Sequence, residues 1–242
     1  MTNLSGHIAL VTGASKGIGQ ASAVALAGAG ADIVVHYHQN REGAEATRAE
    51  IEKLGCRAFI THADVSVAGE VNAMHAQVNQ GFGAPDILVN NAGLAQRKEL
   101  DEIDEAVWDR VIDVNLKSVF LMIRTFLPAM RRKRWGRIIN ISSGAAHAAG
   151  AVGVHYHAAK AGIEGLTRGY AARMVKEGIT VNAVAPTFID TGGGRDNVER
   201  AKQVPIGRTG RPEEIAEAVL FCAKTEYITG QVIVLNGGLY FR

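Results

Sequence analysis

The sequence predicts a doubly wound α/β fold, a single domain over residues 1–242 in which a parallel seven-stranded sheet carries helices on both faces. Three observations support this prediction. Seven short apolar runs alternate along the chain with longer segments of helical length. The runs are nearly continuous in valine, isoleucine, leucine and alanine, as expected of strands covered on both sides. The 242 residues, 47% of them hydrophobic, are also enough to bury one sizeable core.

The seven apolar runs are the predicted strands, and they occupy residues 7–12, 32–37, 57–63, 86–90, 136–142, 179–185 and 231–236. The segments between them that have helical length include 19–29, 42–54, 67–80 and 104–132. Residues 187–211 form a long irregular stretch that contains TGGG, and loops of that length are often active-site lids. Ligands of doubly wound sheets bind at the carboxyl ends of the strands, so the residues that follow the strands are the candidate site residues.

A glycine-rich turn follows the first predicted strand. In TGASKGIG, residues 12–19, Gly13, Gly17 and Gly19 have the spacing GxxxGxG and open the first helix. Glycine permits a tight turn and lets the backbone approach a pyrophosphate at a helix N-terminus. Such glycines can also be mere turn geometry, but their place in the first βα unit favours nucleotide binding. The expected fold is therefore of the Rossmann type.

The end of the second predicted strand bears on the choice of nucleotide. A site for NAD has a carboxylate there, which binds the 2′-hydroxyl of the adenosine ribose. This chain has HYHQNR at 36–41 and no acid before Glu42. Lys16, Arg41 and His38 would attract a 2′-phosphate, although they can also be read as solvated surface cations. We therefore expect NADP(H) to be preferred over NAD(H).

Charge and cysteine content exclude several classes of protein. The 26 basic and 24 acidic residues give a net charge of +2, which is too even for a nucleic-acid or membrane protein. Cys56 and Cys222 lack a CxxC pair or a neighbouring ligand cluster, so neither a disulfide framework nor a metal site is expected. The basic run at 131–137 is expected to close a helix. Without a signal-peptide pattern or an apolar run of membrane length, the protein should be soluble and cytoplasmic.

Tyr156 and Lys160 stand four residues apart in VHYHAAK. On a helix they would share one face, where an ammonium favours the phenolate over the phenol. Lowering the tyrosine pKa from about 10 to about 7 would take roughly 4 kcal/mol, more than one lysine is expected to supply. The flanking His155 and His157 are the usual side chains for proton transfer near neutral pH. These residues alone leave the identity of the proton donor open.

Five motifs together resemble the short-chain dehydrogenase/reductase family. They are TGxxxGIG, NNAG at 90–93, an asparagine in VN at 115, a serine at 143 that stands thirteen residues before YxxxK, and a late NGG. The resemblance covers essentially the whole chain and looks closest to the β-ketoacyl-acyl carrier protein reductases. It implies an enzyme that moves hydride between a nicotinamide and a carbonyl or secondary alcohol, with a 3-oxoacyl thioester as one possible substrate.

The resemblance also implies a role for each of four residues. Tyr156 would be the general acid/base, and Lys160 would lower its pKa and hold the nicotinamide ribose. Ser143 would hydrogen-bond the substrate oxygen, and Asn115 would anchor a water of the proton relay. The flanking histidines would then pack or line the pocket. The implied cofactor-binding residues are Gly13, Ser15, Lys16, Gly17, Ile18, Gly19, Tyr37, His38, Asp64, Val65, Asn91, Ala92, Gly93, Tyr156, Lys160, Pro186, Ile189 and Thr191.

Two regions depart from the family's usual pattern. Thr187 follows Pro186 where the family usually has glycine, which would narrow the pocket near the nicotinamide or add a hydroxyl for the substrate. Ketoacyl reductases dock the acidic carrier protein on two basic positions; Arg134 matches one, but Glu177 stands at the other. Acyl carrier protein is therefore doubtful as a partner, and a sugar, polyol or other small-alcohol dehydrogenase is the alternative. The complete set of four residues disfavours a nucleotide-binding scaffold without chemistry.

Two predicted helices and the C-terminal end carry apolar residues that favour a homo-oligomer. The predicted helix at 104–132 and the helix that begins near Tyr156 are more apolar than one sheet face requires, and the chain ends in GGLYFR. A helix that is apolar all round must be buried on more than one side. A closed symmetric oligomer would bury such surfaces. The resemblance indicates a homotetramer.

Overall fold

The computed structural model describes residues 3–150, 152–192 and 195–241. Its centre is a seven-stranded sheet in the order β3-β2-β1-β4-β5-β6-β7, with every neighbouring pair parallel. The strands are β1 Ile8–Val11, β2 Asp32–Tyr37, β3 Ala58–His62, β4 Ile87–Asn90, β5 Gly136–Ile141, β6 Ile179–Pro186 and β7 Val232–Leu235. The predicted α/β fold is confirmed, and each strand lies within one residue of its predicted ends.

The strand order reverses between β1 and β4. Leu10 in β1 lies opposite Val34 of β2 on one side and Leu88 of β4 on the other. The connections from β1 therefore run outward to one edge of the sheet, whereas those from β4 run to the opposite edge. A crevice forms at such a switch point, outside the carboxyl ends of the strands.

Eight α-helices connect the strands in the described part of the chain. They are α1 Gly17–Gly28, α2 Arg41–Lys53, α3 Ala68–Gly81, α4 Glu105–Ile112, α5 Ser118–Lys133, α6 Val154–Met174, α7 Arg195–Gln203 and α8 Pro212–Lys224. The first three agree with the predicted segments within two residues at each end. Helix α7 lies in the predicted lid, part of whose TGGG sequence falls outside the described residues.

The predicted helix at 104–132 is in fact two helices joined by a π-helical turn, Asp113–Lys117. The Ser118 N–H bonds the Asp113 carbonyl five residues earlier, rather than four as in an α-helix. The Asn115 side chain donates to the Val111 carbonyl at 2.9 Å, so the side chain satisfies a backbone group within the turn. Turns of this kind are frequent at functional sites.

The basic run at 131–137 closes helix α5, as predicted. Three cations lie in its last turn, where they suit the negative end of the helix. Arg134 follows in the left-handed conformation and ends the helix. Arg131 pairs with Glu177 at 2.6 Å and Lys133 pairs with Asp86 at 2.9 Å, so part of this charge is used within the chain.

The core consists of one apolar layer on each face of the sheet. Helices α1, α2 and α8 cover the first face, with buried side chains that include Leu26, Ile51 and Ile215. Helices α3, α5 and α6 cover the second, with buried side chains that include Met74, Phe126 and Ile163. Burial of each such side chain stabilises the fold by about 1.5–3 kcal/mol. This packing leaves the carboxyl edge of the sheet to loops, and those loops carry the candidate site.

No helix in residues 3–150, 152–192 and 195–241 is both long and apolar enough to cross a membrane. Over the same residues, the histidines, cysteines and carboxylates form no cluster of three that could hold a metal ion. Cys56 and Cys222 are free thiols.

Candidate active site

A cleft of about 600 Å³ lies at the carboxyl ends of the strands, where the sheet order reverses. Of the predicted site residues, it is lined by Gly13, Ser15, Lys16, Gly17, Ile18, Gly19, His38, Asp64, Val65, Asn91, Ala92, Gly93, Asn115, Ser143, Tyr156, Lys160, Pro186, Ile189 and Thr191. Its volume is in the usual range for cofactor and ligand pockets. The fold therefore brings every predicted site residue except Tyr37 to one cleft.

The glycine loop is held close to the end of β4. Gly13 and Gly17 have φ values of +63° and +56°, a region in which other residues are strained. Asn91 donates from Nδ2 to the Thr12 carbonyl at 2.8 Å and to the Gly13 carbonyl at 3.2 Å. A Cβ atom added at Gly19 would lie only 2.5 Å from Asn91 Nδ2. The glycines thus allow a tight contact that shapes the N-terminal end of α1.

His36 supports the same loop and was missed by the sequence analysis. Its Nδ1 accepts a hydrogen bond from the Gly13 N–H at 3.1 Å, while Nε2 lies 3.0 Å from the Ala63 carbonyl. A carbonyl only accepts, so Nε2 carries the proton. Burial lowers the pKa of His36 to about 4, so the ring is neutral near pH 7. The strand alternation was the available signal, because His36 and His38 must face the same side of β2.

Tyr37 lies outside the cleft, which corrects its predicted place there. Side chains alternate along a strand, so it points away from the side that His36 and His38 face. It lines a separate pocket together with Arg41, and its ring meets the edge of the His62 ring at 5.3 Å. Arg41 is likewise directed to that pocket and lies 3.7 Å from Glu45.

At the end of the cleft near the glycine loop, the lining has Arg110, which the sequence analysis missed, in place of Arg41. Lys16 is exposed at the N-cap of α1, and the His38 side chain is 44% exposed. Asp64 lies 4.0 Å from His38 and 3.2 Å from Arg110. Burial alone would raise the pKa of Asp64, but hydrogen bonds from Ser66 and the charge of Arg110 hold it below its usual value. The carboxylate is thus charged and balanced by its neighbours.

At the other end of the cleft, Ser143 and Tyr156 both belong to the lining, where burial raises the pKa of the Tyr156 phenol and the Ser143 hydroxyl lowers it in part. Ser143 follows β5 and caps a short 3-10 turn, Gly144–Ala146, with its Oγ accepting from the Ala145 N–H at 3.2 Å. Tyr156 lies in the first turn of α6, which runs from Val154. The end of a central strand and the start of a long helix therefore fix the two hydroxyls relative to each other.

Lys160 lies one turn after Tyr156 and is buried, with 4% of its surface exposed. Its Nζ donates to the Ile141 carbonyl at 2.9 Å and lies 5.5 Å from the centre of the Tyr156 ring. Burial lowers the pKa of Lys160 to about 8. The ammonium form is therefore the main one near pH 7.

The Tyr156 pKa differs from what the resemblance implied. Burial raises the pKa of the phenol, and the Ser143 hydroxyl offsets only part of that increase. Lys160 is directed at a backbone carbonyl of β5 rather than at the phenol oxygen. In this structure Tyr156 is consequently a protonated phenol near neutral pH, able to donate a proton.

Asn115 anchors the segment after β4. Its Nδ2 donates to the Leu94 carbonyl at 2.9 Å, and its Oδ1 accepts from the Leu94 N–H at 3.2 Å. A Cβ atom added at Gly93 would lie 2.8 Å from Asn115 Oδ1 and 3.7 Å from Lys160 Nζ. Asn115 and Lys160 thus converge on the same glycine at the floor of the cleft.

The histidines beside Tyr156 lie outside the cleft lining. His155 is fully buried in the protein, and His157 Nε2 lies 3.3 Å from the Gly150 carbonyl. Their positions on either side of Tyr156 follow from the 100° rotation per residue of a helix. The cleft is therefore open to the phenol and closed to both imidazoles.

Thr187 packs against the loop after β5 instead of narrowing the cleft. A Cβ atom at Gly144 would lie 3.1 Å from Thr187 Cβ and 3.1 Å from Tyr240 Oη. Thr187 lines a different cavity, of about 290 Å³, between the lid and β7. Its neighbours Pro186 and Phe188 line the main cleft, so successive residues of this segment face the cleft and the smaller cavity in turn.

The cleft fits a nicotinamide dinucleotide. The glycines at the start of α1 leave the space that a Cβ would fill, beside backbone N–H groups suited to a pyrophosphate. At the far end, the Tyr156 phenol and the buried Lys160 ammonium offer two donors. Such a site, in which a nucleotide and a proton donor meet at a sheet switch point, is that of a nicotinamide-dependent oxidoreductase.

Comparison with known proteins supports the assignment to the oxidoreductases. A family model described as enoyl-(acyl carrier protein) reductase matches residues 13–240. The chain is 45% identical to the 3-oxoacyl-[acyl-carrier-protein] reductase FabG of Staphylococcus aureus (strain Mu50), over 96% of this chain and 97% of that one. It is 41% identical to the 3-oxoacyl-[acyl-carrier-protein] reductase of Synechocystis sp., over 99% of each chain. The chain belongs to the short-chain dehydrogenase/reductase family.

A solved structure extends this comparison. The gluconate 5-dehydrogenase from Burkholderia cenocepacia J2315, in complex with NADP and tartrate, is similar with a TM-score of 0.89. It is 33% identical, over 98% of this chain and 96% of that one. The protein is thus an oxidoreductase that acts on carbonyl or CH–OH groups, and its relatives include enzymes for both acyl and sugar-acid substrates.

Proposed function

We propose that this protein is an NADP(H)-dependent reductase of 3-oxoacyl thioesters. The observation that carries the proposal is the cleft itself, in which Ser143, Tyr156 and Lys160 line the same space as the glycine loop. The relatives that are 41–45% identical over almost their whole length, and are named as 3-oxoacyl reductases, support the substrate class. The cofactor, when bound, supplies the hydride that reduces the carbonyl carbon.

The chain supplies the proton and the orientation. Ser143 hydrogen-bonds the substrate oxygen and holds it near the phenol. Tyr156 donates its proton to that oxygen, and burial keeps it protonated until then. The Lys160 ammonium, fixed by the Ile141 carbonyl, stabilises the phenolate that remains. The Asn115 side chain ties residue 94 to the π-helical turn, and would thereby shape the place beside Lys160 for the water that returns a proton to the site.

A dehydrogenase of sugars, polyols or other small alcohols is the second candidate. The polar composition of the lid and the similarity to a gluconate 5-dehydrogenase favour it. The two positions disfavour acyl carrier protein as a partner, because Glu177 is paired with Arg131 and the Arg134 guanidinium donates to the Lys176 carbonyl at 2.7 Å. A cytoplasmic location and the lack of a nucleic-acid partner stay predictions from composition.

A steady-state assay of NADPH oxidation separates the two candidates. Ketoacyl thioesters, diketones and keto-sugars are compared at equal concentration, with the thioesters offered both on carrier protein and as coenzyme A esters. We expect the thioesters to have the highest kcat/KM. Turnover of keto-sugars without turnover of thioesters would instead establish the second candidate. Ser143→Ala serves as the control that the measured activity arises in this cleft.

Cofactor preference is tested at Lys16. We expect NADPH to bind more tightly than NADH, and Lys16→Ala to weaken NADPH by about tenfold, since a charge-assisted contact to phosphate contributes about 1.5 kcal/mol. NADH binding should change much less. Lys53→Ala, at the exposed end of α2, is the control. Equal weakening of both nucleotides in titrations would mean that Lys16 contacts only the shared pyrophosphate.

The protein is proposed to be a homotetramer. Val111, Val119 and Ile123 are buried within the chain, but Phe120 on the same helical stretch is 42% exposed and Phe241 at the C-terminus is 91% exposed. Phe120 and Phe241 lie on different elements, so they could be buried in the two different subunit interfaces of a tetramer. The protein, with a chain mass of 25.7 kDa, should sediment at about four times that mass in micromolar solution. A single monomer boundary would contradict the proposal.

A further inference from the structure

Behind Ser143, a buried carboxylate joins helix α6 to the loop that follows β5. Glu164 Oε1 lies 2.8 Å from His147 Nε2 and accepts a hydrogen bond of 3.0 Å from Ser142 Oγ. The side chains of His147 and Glu164 are 1% and 6% exposed. Ser142 immediately precedes Ser143, and His147 follows it by four residues. One carboxylate oxygen therefore contacts both flanks of Ser143.

Glu164 lies on α6, the helix that also carries Tyr156 and Lys160. It lies one turn after Lys160 and two turns after Tyr156, so it belongs to the same helix face. Ser142 Oγ is also 3.2 Å from the Lys160 carbonyl, which adds a second contact between the loop and this helix. The spacing between Ser143 on the loop and Tyr156 on the helix thus depends on a polar contact made two turns away.

The C-terminal tail supports the loop from another side. The His147 and Tyr240 rings lie 5.8 Å apart, tilted by 55°. Asn236 fixes the tail in this place by donating from Nδ2 to the Tyr240 carbonyl at 2.7 Å. His147 is therefore held between Glu164 and Tyr240.

A buried carboxylate costs free energy unless hydrogen bonds and charge compensate for its lost hydration. Here the compensation comes from the loop itself, so the loop cannot move away without leaving Glu164 unpaired. Both His147 and Glu164 lie outside the lining of the cleft. Their effect on the reaction must consequently be exerted through other residues.

We propose that Glu164 and His147 are positioning residues, which hold the Ser143 hydroxyl in place beside Tyr156 in the cleft. This inference rests on the proposed function. If the pair is broken, the loop can shift, the hydroxyls of Ser143 and Tyr156 separate, and the substrate oxygen loses its alignment. Cofactor binding is unaffected, because the glycine loop lies at the other end of the cleft.

A double-mutant cycle tests the proposal. Glu164→Leu, Ser143→Ala and the double variant are assayed for kcat with the best carbonyl substrate, together with the NADPH Kd and the Tm. Glu164→Leu is expected to lower kcat at least tenfold and to leave the Kd within twofold. Added to Ser143→Ala, it should lower kcat by less than a further twofold, because residues that act as a unit are non-additive. Multiplicative losses would overturn the proposal.

Two further variants separate positioning from general stability. Glu164→Gln retains the size and an acceptor oxygen, so most of kcat should return. Thr167→Val removes a fully buried hydroxyl on the same helix, bonded to Asn140 and Ile163 instead of the loop, and should lower the Tm without lowering kcat. If Glu164→Leu does not fold, His147→Leu, which has no polar atom to offer Glu164, breaks the pair from the loop side. A loss of kcat in Thr167→Val equal to that in Glu164→Leu would count against positioning.

Failure of the proposed function gives a different result. Under that outcome the unmodified protein does not reduce carbonyls, or Ser143→Ala retains full activity. If the protein is active and depends on Ser143, and yet the two losses multiply, only the positioning role is wrong.

Discussion

Tyr156→Phe is expected to lower kcat by about 10²- to 10⁴-fold, the range for loss of a general acid or base. The Tyr156 phenol lines the cleft, and its raised pKa keeps the proton available near neutral pH. Phenylalanine fills the same volume, so the NADPH Kd should stay within about twofold. Steady-state kinetics and a fluorescence titration of NADPH measure the two quantities.

His157→Ala is the matched control for this variant. His157 adjoins Tyr156 in sequence, but its ring contacts the Gly150 carbonyl outside the cleft. We expect its kcat to change less than threefold. If the histidine variant lost as much activity as Tyr156→Phe, the assignment of the proton donor to Tyr156 would have to be abandoned.

Gly19→Ala is expected to weaken the binding of either nicotinamide cofactor by about 10- to 100-fold. The new Cβ would lie 2.5 Å from Asn91 Nδ2 and 2.8 Å from the Gly13 carbonyl carbon, so the loop must shift. Forcing a methyl group into a tight contact costs about 1–3 kcal/mol. Isothermal titration with NADPH and with NADH measures the loss, and the Tm reports how much of it is a general loss of stability.

Gly28→Ala makes the same substitution in the same helix. At that position an added Cβ meets no described atom within 4 Å. Alanine also favours a helix over glycine by about 0.5–1 kcal/mol, so the Tm should stay equal or rise. Cofactor affinity should be unchanged. If Gly28→Ala weakened cofactor binding, or if Gly19→Ala did not, steric crowding at Gly19 could not be the cause of weaker cofactor binding.

The sheet could be predicted because its strands are buried on both faces. Each strand must then be apolar along its whole length, and apolar runs bounded by polar turns give its ends to within one residue. The interruption at Asp113–Lys117 left no such pattern, since a π-helical segment of five residues is too short to show as a change in hydrophobic period. The predicted helix was therefore too long.

The candidate site was predictable where residues act through local spacing. Lys160 follows Tyr156 by one turn whatever the rest of the fold does, and Ser143 follows a strand. Contacts between distant segments were not predictable in this way. The Thr187 contact with Gly144 and the Tyr156 pKa both depend on what packs around them, and burial is a property of the whole fold.

The alternation of side chains at the end of β2 has a consequence for redesign of cofactor preference. His36 is buried, is neutral above about pH 4, and links two backbone segments by hydrogen bonds to the Gly13 N–H and the Ala63 carbonyl. His38 lines the same cleft but is 44% exposed, and its Nε2 lies 4.0 Å from Asp64. To change the preference from NADP to NAD, residue 38 should therefore be varied together with Lys16, and His36 should be kept. His36 is buried and supports the glycine loop, whereas His38 lies nearer the surface of the cleft.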